Sequence, residues 1–370
     1  MADADAVKPA GPGAPDPAAD RASKVVRPAI QELSAYHVPL RGDHVKLDAM
    51  ENPYPLPPAL REEWLEVLRD AEINRYPDAG GDGLKAALRT AFGIPESAAI
   101  LPGNGSDEII QIIAMAVDGP ILAPTPTFVM YEIAARFVDK EFVPVPLDGD
   151  FGLDLDAMLS VIRQHKPAVA FIAYPNNPTG NLFDESILRR VIDAAPGLVV
   201  IDEAYHAFAE RTWMHSLEEF PNLLVMRTLS KLGLAGLRFG FAAAHPAWID
   251  HLDKVRMPYN INTLTQKSVE FALARLDVFQ QQTERIKAER GRVFDALKQA
   301  GYECFPTSTN FILFRTRALS AGDVYGALLD NGVLIKNLSE SHSTLTNCLR
   351  VTIGTPEENN QFLAALPRER

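Results

Sequence analysis

Seven short apolar runs, each closed by proline or glycine or by a polar cluster, constrain this chain more than any other feature. They read "AAILPGNG", "GPILAPTP", "KEFVPVPL", "AVAFIAYP", "GLVVIDEAY", "LLVMRTLS" and "RFGFAAAHP", with helical periodicity between them. Strands spaced by helices are joined by crossovers, and crossovers build a mostly parallel sheet covered by helices on its faces. Runs that are apolar throughout belong to strands buried on both sides. The expected fold is therefore α/β, with a mostly parallel seven-stranded sheet. A chain of 370 residues with 47% hydrophobic content is large enough to cover it.

After about residue 265 the pattern changes. A long charged helix, "VFQQQTERIKAERGRVFDALKQAG", leads to "NFILFRT", the helix "AGDVYGALLDNG", and the strands "VLIKNL" and "CLRVTIGT". This predicts a smaller α+β domain over 266–370, beside a large domain over 61–265. Residues 25–60 are expected to form an N-terminal arm and to complete part of the small domain. Residues 1–24, rich in Ala, Pro, Gly and Asp, have little to bury and are expected to be a disordered tail.

The net charge of -12 argues against a nucleic-acid partner, because phosphate backbones are held by clustered Lys and Arg. The two cysteines, Cys304 and Cys348, form no CxxC pair, so neither a disulfide framework nor a structural zinc is expected. The first twenty residues lack the basic start and apolar run of a secretory signal, and no run of about 18 apolar residues occurs. The expected compartment is the cytoplasm, with no membrane partner.

In an open parallel sheet, ligands gather beyond the carboxyl ends of the strands. Four runs end there in polar clusters: "GNGSDE", "YPNNPTG", "DEAY" and "TLSK". Gly103 and Gly105 precede a helical run, so that turn either presents free amides to an anion or is simply capped by Ser106 or Asp107. Asp202 ends an apolar strand, where a carboxylate requires a cation or a strong donor, supplied by a ligand, a salt bridge or a metal. No HExxH-like spacing favours the metal. Two prolines in "YPNNPTG" restrict the backbone and aim Asn177. Lys231 is either a surface lysine on a glycine-rich loop or an amine whose pKa falls as it leaves water, with Thr228, Ser230 and Arg238 as anion donors beside it.

Taken in order, "LSAYHV", "MENPYPLP", "NRYPD", "GNGSDE", "PTPTFVMY", "YPNNPTG", "DEAYHAF", "TLSKLGLAGLRFG", "TNFILF" and "CLRVTIGT" resemble the fold-type I pyridoxal phosphate (PLP) aminotransferases. The resemblance runs from about residue 28 to the carboxyl terminus. It implies that Lys231 is the Schiff-base lysine and proton carrier, and that Asp202 faces the pyridine nitrogen. It further implies that Asn177 and Tyr205 donate to the phenolic oxygen, and that Phe128 stacks on the ring. Ser106, Asp107, Thr228, Ser230 and Arg238 match the phosphate cup. Tyr76 matches a tyrosine that reaches this phosphate from the other subunit, which implies a homodimer. Arg350 resembles the arginine that binds the anionic end of the substrate, while Tyr36, Asn52 and Asn310 match positions lining the substrate pocket.

Three positions depart from the common pattern. Six residues separate Lys231 from Arg238 where many relatives have seven. Lys336 stands where many carry an arginine thought to help hold a substrate phosphate, and lysine keeps the charge without the bidentate geometry. "LSAY" replaces "LxPY" beside Tyr36. The implied reaction is amino transfer between L-histidinol phosphate and 2-oxoglutarate, giving glutamate. The alternatives are an aromatic amino acid as the amine, or a PLP lyase of the threonine-phosphate decarboxylase type. A PLP-binding regulator is disfavoured, since 27 residues of low complexity cannot form a helix-turn-helix.

Overall fold

The computed structural model describes residues 16–34 and 42–369. Seven strands form the main sheet in the spatial order Ala99–Gly103, Gly240–Ala244, Leu223–Thr228, Leu198–Asp202, Val169–Ala173, Ile121–Thr125 and Phe142–Pro146. The last five run parallel, as the alternation of strands and helices predicts. Gly240–Ala244 is antiparallel to both its neighbours, because it returns directly from Leu223–Thr228 through the lysine loop without a crossover helix.

Residue parity along the strands assigns each face of the sheet. Val199, Ile201, Leu223 and Val225 point into one core with Leu84, Leu88, Trp213 and Phe241. Leu198, Val200, Leu224 and Met226 point into the other with Ile109, Ile113 and Tyr131. The covering helices are amphipathic for the same reason. In Glu185–Ala194 the buried Leu188, Val191 and Ile192 share one side at helical spacing, and the Asp184 carboxylate accepts from the Ser186 and Ile187 amides to cap the start. Truncating Leu188 to alanine would cost about 2–5 kcal/mol, the usual range for a buried leucine.

The carboxyl-terminal part has its own sheet and core. Lys336–Asn337, Cys348–Thr352, Phe311–Arg315 and Glu303–Cys304 lie side by side, all antiparallel. Ile286, Val293 and Leu297 of the long helix Leu276–Gln299 pack on this sheet with Phe311, Phe314 and Phe362. The expected single strand "VLIKNL" is divided. Val333–Leu334 pairs in parallel with Val45–Lys46, whereas Lys336–Asn337 pairs with Cys348–Thr352. The segment near residue 45 thus joins the carboxyl-terminal part by backbone hydrogen bonds.

Residues 16–34 are a separate unit. Part of the stretch read as a disordered tail is helical here, over Pro17–Val25. Asp16 caps it, proline stands at its first position, and Lys24 pairs with Asp20 one turn back. Composition alone undervalued these local signals. Residues 1–15 lie outside the described residues. No described helix is long and apolar enough to cross a membrane.

Candidate active site

The carboxyl ends of Ala99–Gly103, Leu223–Thr228 and Leu198–Asp202 lie along one edge of the main sheet. Gly103 and Thr228 flank Gly240 on the same rung, and Asp202 pairs with Met226 on the next strand. The four polar clusters of the sequence therefore meet at one boundary, although their residues are far apart in the chain.

Lys231 lies on the loop that links Thr228 to Gly240. Leu229 N–H donates to the Phe239 carbonyl at 3.0 Å, which closes the loop just beyond the rung. The chain then makes a wide turn over Ser230–Leu234, interrupted at Gly233, and a 3-10 turn over Ala235–Leu237, reaching Arg238 at φ +49°. This is how six residues suffice between lysine and arginine while both loop ends stay on the sheet. Lys231 is part-buried; its Nζ donates to the Ala49 carbonyl at 3.3 Å and lies 5.9 Å from the Tyr205 ring centroid. Burial, and then the positive charge of Arg350, pull its pKa down to about 8.

Asp202 is buried. Its Oδ2 accepts from the Tyr131 hydroxyl at 2.7 Å and its Oδ1 from the Ala204 amide at 3.0 Å. Burial raises its pKa to about 6, and these two bonds restrain the rise. Neither donor is a cation, so among the described residues the carboxylate has hydrogen bonds without a paired counter-charge. Tyr131 itself stacks on Phe171 with centroids 4.8 Å apart, and Phe128 meets it edge-on at 5.7 Å.

Phosphate-sized donors lie a short way along the same edge. The helix Ser106–Ala116 begins after Gly105 with no side-chain cap, so the capping role considered for Ser106 and Asp107 is not what these residues perform. Asp107 instead pairs with Arg238 at 3.2 Å. The Thr228 hydroxyl donates to the Phe239 carbonyl at 3.1 Å and lies within hydrogen-bond reach of Ser230 Oγ at 2.9 Å. Two glycines make the close approach possible. Gly105 has φ +81°, and a Cβ there would meet Arg238 Nη2 at 2.9 Å; a Cβ on Gly240 would lie 2.9 Å from both the Arg227 carbonyl and the Ser106 amide nitrogen.

Residues from the other sheet reach the same place. Arg350 is buried, donates through Nη1 to Asn177 Oδ1 at 2.5 Å and through Nη2 to the Asp48 carbonyl at 3.2 Å, and lies 5.2 Å from the Phe311 ring centroid. Tyr205 packs edge-on to the same ring at 5.3 Å. Lys336 is exposed and stands directly opposite Arg350 across the strand pair. Asn52 Nδ2 donates to the Leu232 carbonyl at 2.9 Å, tying the amino-terminal segment to the lysine loop. Asn310 Nδ2 donates to the Met50 carbonyl at 2.9 Å, and its buried Oδ1 has no partner among the described residues. A cavity of about 440 Å³ opens between these segments, lined by Glu51, Asn52, Ser230, Gly233, Thr352 and Glu358 among others.

Two residues named from the sequence are not gathered here. Tyr76 is 80% exposed and stacks on Tyr259, with centroids 4.5 Å apart. Tyr36 lies outside the described residues. Conversely, Tyr131 carries no signal of its own in the sequence although it stands within "PTFVMY", three residues from Phe128. The Ala49 and Asp48 carbonyls had no signal at all, since backbone groups leave none in a sequence.

An uncapped helix start, paired hydroxyls and an arginine, beside a buried carboxylate without a counter-charge and a lysine of lowered pKa, form a donor set that fits a phosphorylated pyridine aldehyde. Fold and site together define an aminotransferase, and the chain belongs to the aminotransferase class I and II family, whose sequence profile matches residues 42–366. Within that family, histidinol-phosphate aminotransferase 2 of Nitrosococcus oceani is 52% identical over 95% of this chain and 99% of its own length. Histidinol-phosphate aminotransferase of Chromobacterium violaceum is 50% identical over 93% and 98%. Among solved structures, histidinol-phosphate aminotransferase from Sinorhizobium meliloti in complex with pyridoxal-5'-phosphate shares the fold, with TM-score 0.83 and 24% identity over 93% of this chain and 96% of that one.

Proposed function

We propose that this chain is a PLP-dependent aminotransferase that moves an amino group between L-histidinol phosphate and 2-oxoglutarate in histidine biosynthesis. The observation that carries the chemistry is the placement of Lys231 and Asp202 at neighbouring strand ends, an amine of lowered pKa near a buried carboxylate without a counter-charge. The choice of amine is supported by relatives half identical over nearly the full length.

When bound, PLP supplies an electron-withdrawing ring that stabilises negative charge at the carbon bearing the amine. Asp202 holds the proton on the ring nitrogen, because an ionised carboxylate favours the protonated pyridine. Lys231 holds the cofactor aldehyde, and its amine, with a pKa near neutrality, then carries the proton to and from the substrate α-carbon. Phe128 would stack on the ring, and Asn177 and Tyr205 would donate to its phenolic oxygen. The Ser106 and Asp107 amides, Thr228, Ser230 and Arg238 hold the phosphate, for which Arg238 turns from Asp107. Arg350, with Lys336 opposite it, binds the anionic end of the substrate, and Asn52 and Asn310 line the pocket.

The proposed assembly is a cytoplasmic homodimer in which Tyr76 reaches the phosphate of the partner's site. Its support is the exposure of a stacked tyrosine pair, with Ile73 and Met257 exposed close by in the chain. We take 61–265 as the large domain and 266–370, joined by the strand Val45–Lys46, as the small one. Steady-state assays over a substrate panel test the reaction. The kcat/KM for histidinol phosphate should exceed that for phenylalanine and tyrosine by about a hundredfold, the scale of losing one charge-assisted hydrogen bond. Negligible turnover of histidinol phosphate beside fast turnover of the aromatic amino acids would reject the reading.

A further inference from the structure

On the sheet face opposite Asp202 and Thr228 there is a buried ion pair that the reaction itself does not use. Glu203 is fully buried and Arg227 is 5% exposed. Glu203 Oε2 accepts from Arg227 Nε at 2.9 Å, from Nη2 at 2.7 Å and from the Thr212 hydroxyl at 3.0 Å, while Oε1 accepts from the Trp213 amide at 2.5 Å. Arg227 Nη2 also reaches Thr212 Oγ1 at 2.7 Å, and its guanidinium lies 5.2 Å from the centroid of the Phe92 ring. Both Glu203 carboxylate oxygens, and Nε and Nη2 of Arg227, are thus engaged.

Its place in the sheet matters more than its strength. Glu203 immediately follows Asp202, and Arg227 immediately precedes Thr228, so each partner of the pair is the chain neighbour of a site residue. Alternation along a strand sends Glu203 and Arg227 to one face and Asp202 and Thr228 to the other, consistent with the two cores. The Glu203 amide also donates to the Met226 carbonyl at 2.8 Å, carrying the ladder one residue beyond the strand. A buried pair is poor at stabilising a fold, since apolar residues of similar size often do as well or better. Its geometric demand is high, because Arg227 Nε and Nη2 converge on one Glu203 oxygen while the Trp213 amide holds the other, so neither side chain can shift without breaking a charge-assisted bond.

We propose that Glu203 and Arg227 are positioning residues for the cofactor: from behind the sheet they fix the separation between Asp202, which meets the ring nitrogen, and Thr228, which meets the phosphate. The two ends of one rigid molecule have to be met at once, and the ion pair sets that span before the molecule arrives. This rests on the reading of PLP as the cofactor.

The test compares wild-type protein, a Glu203→Leu/Arg227→Met double variant and Thr212→Val, each stripped of cofactor. Thermal midpoint is measured on the apo-proteins, and PLP affinity by absorbance titration. The double variant should keep a midpoint near wild type yet bind PLP at least about tenfold more weakly. Thr212→Val, which removes the hydroxyl bridging both partners and leaves the charges, should show a smaller loss in the same direction. Wild-type affinity in a folded double variant overturns the proposal; should that variant not fold, wild-type affinity in Thr212→Val overturns it. Failure of the wild-type protein itself to bind PLP would instead reject the cofactor reading.

Discussion

The Tyr131 hydroxyl donates to Asp202 Oδ2 at 2.7 Å, and this bond is one of two that keep a buried carboxylate from rising further than about 6. Tyr131→Phe removes the donor and leaves the ring stack on Phe171. The Asp202 pKa then climbs, the ionised fraction at neutral pH falls, and kcat should drop about tenfold at pH 7, equivalent to about 1.4 kcal/mol. The loss should shrink as pH is raised. A pH profile of kcat whose acid limb matches wild type would contradict this.

Lys231 offers a test of stability as well as of activity. Its pKa falls from 10.5 to about 8 on folding, so below pH 8 the folded apo-protein holds a poorly solvated ammonium at full cost. Between about 8 and 10.5 the folded amine is neutral while the unfolded one keeps its proton, and stability therefore rises with pH. Lys231→Met should be more stable than wild type at pH 7 by up to about 3 kcal/mol, with the gap closing by pH 10. Urea denaturation of the two apo-proteins at both pH values measures it, and amino transfer should vanish in the variant.

Gly240→Ala puts a methyl group 2.9 Å from two backbone atoms, the Arg227 carbonyl and the Ser106 nitrogen. Backbone cannot rotate aside as a side chain does. The substitution should cost at least about 2 kcal/mol and weaken PLP binding as the helix start is displaced. Unchanged thermal midpoint and affinity would show that the turn and the sheet are less tightly apposed.

Arg350 is held by Asn177 Oδ1 and the Asp48 carbonyl, so its guanidinium is already oriented. Arg350→Ala should raise KM for 2-oxoglutarate about a hundredfold, the loss expected for a charge-assisted contact, while PLP stays bound. Equal losses with every substrate, together with loss of PLP, would point to a general structural role instead.

How much of this was legible beforehand follows from the range of the interactions. The parallel order of the strands and their polar ends could be read from runs of a few residues, because burial on both faces leaves a local signature. The antiparallel return at Gly240–Ala244 could not, since that run looks like its neighbours. Asp202 announced its need for a partner, yet the partner, Tyr131, is 71 residues distant and is itself almost wholly aromatic in character. Asn177 and Arg350, 173 residues apart, were each identified by resemblance, and their bond to each other was invisible. Glu203 and Arg227 were overlooked for the opposite reason: each sits beside a residue with an evident task.

The antiparallel return has a kinetic corollary. Thr228, Ser230, Lys231 and Arg238 all lie on one hairpin-like excursion whose ends pair at Thr228 and Gly240. Closing so short a loop costs little chain entropy, whereas Asp202 joins through a parallel pairing that must wait for a crossover. Three of the phosphate donors, Thr228, Ser230 and Arg238, are therefore the local part of the site, favoured to assemble ahead of the carboxylate, whereas the Ser106 and Asp107 amides join them only when the distant strand Ala99–Gly103 docks on Gly240–Ala244.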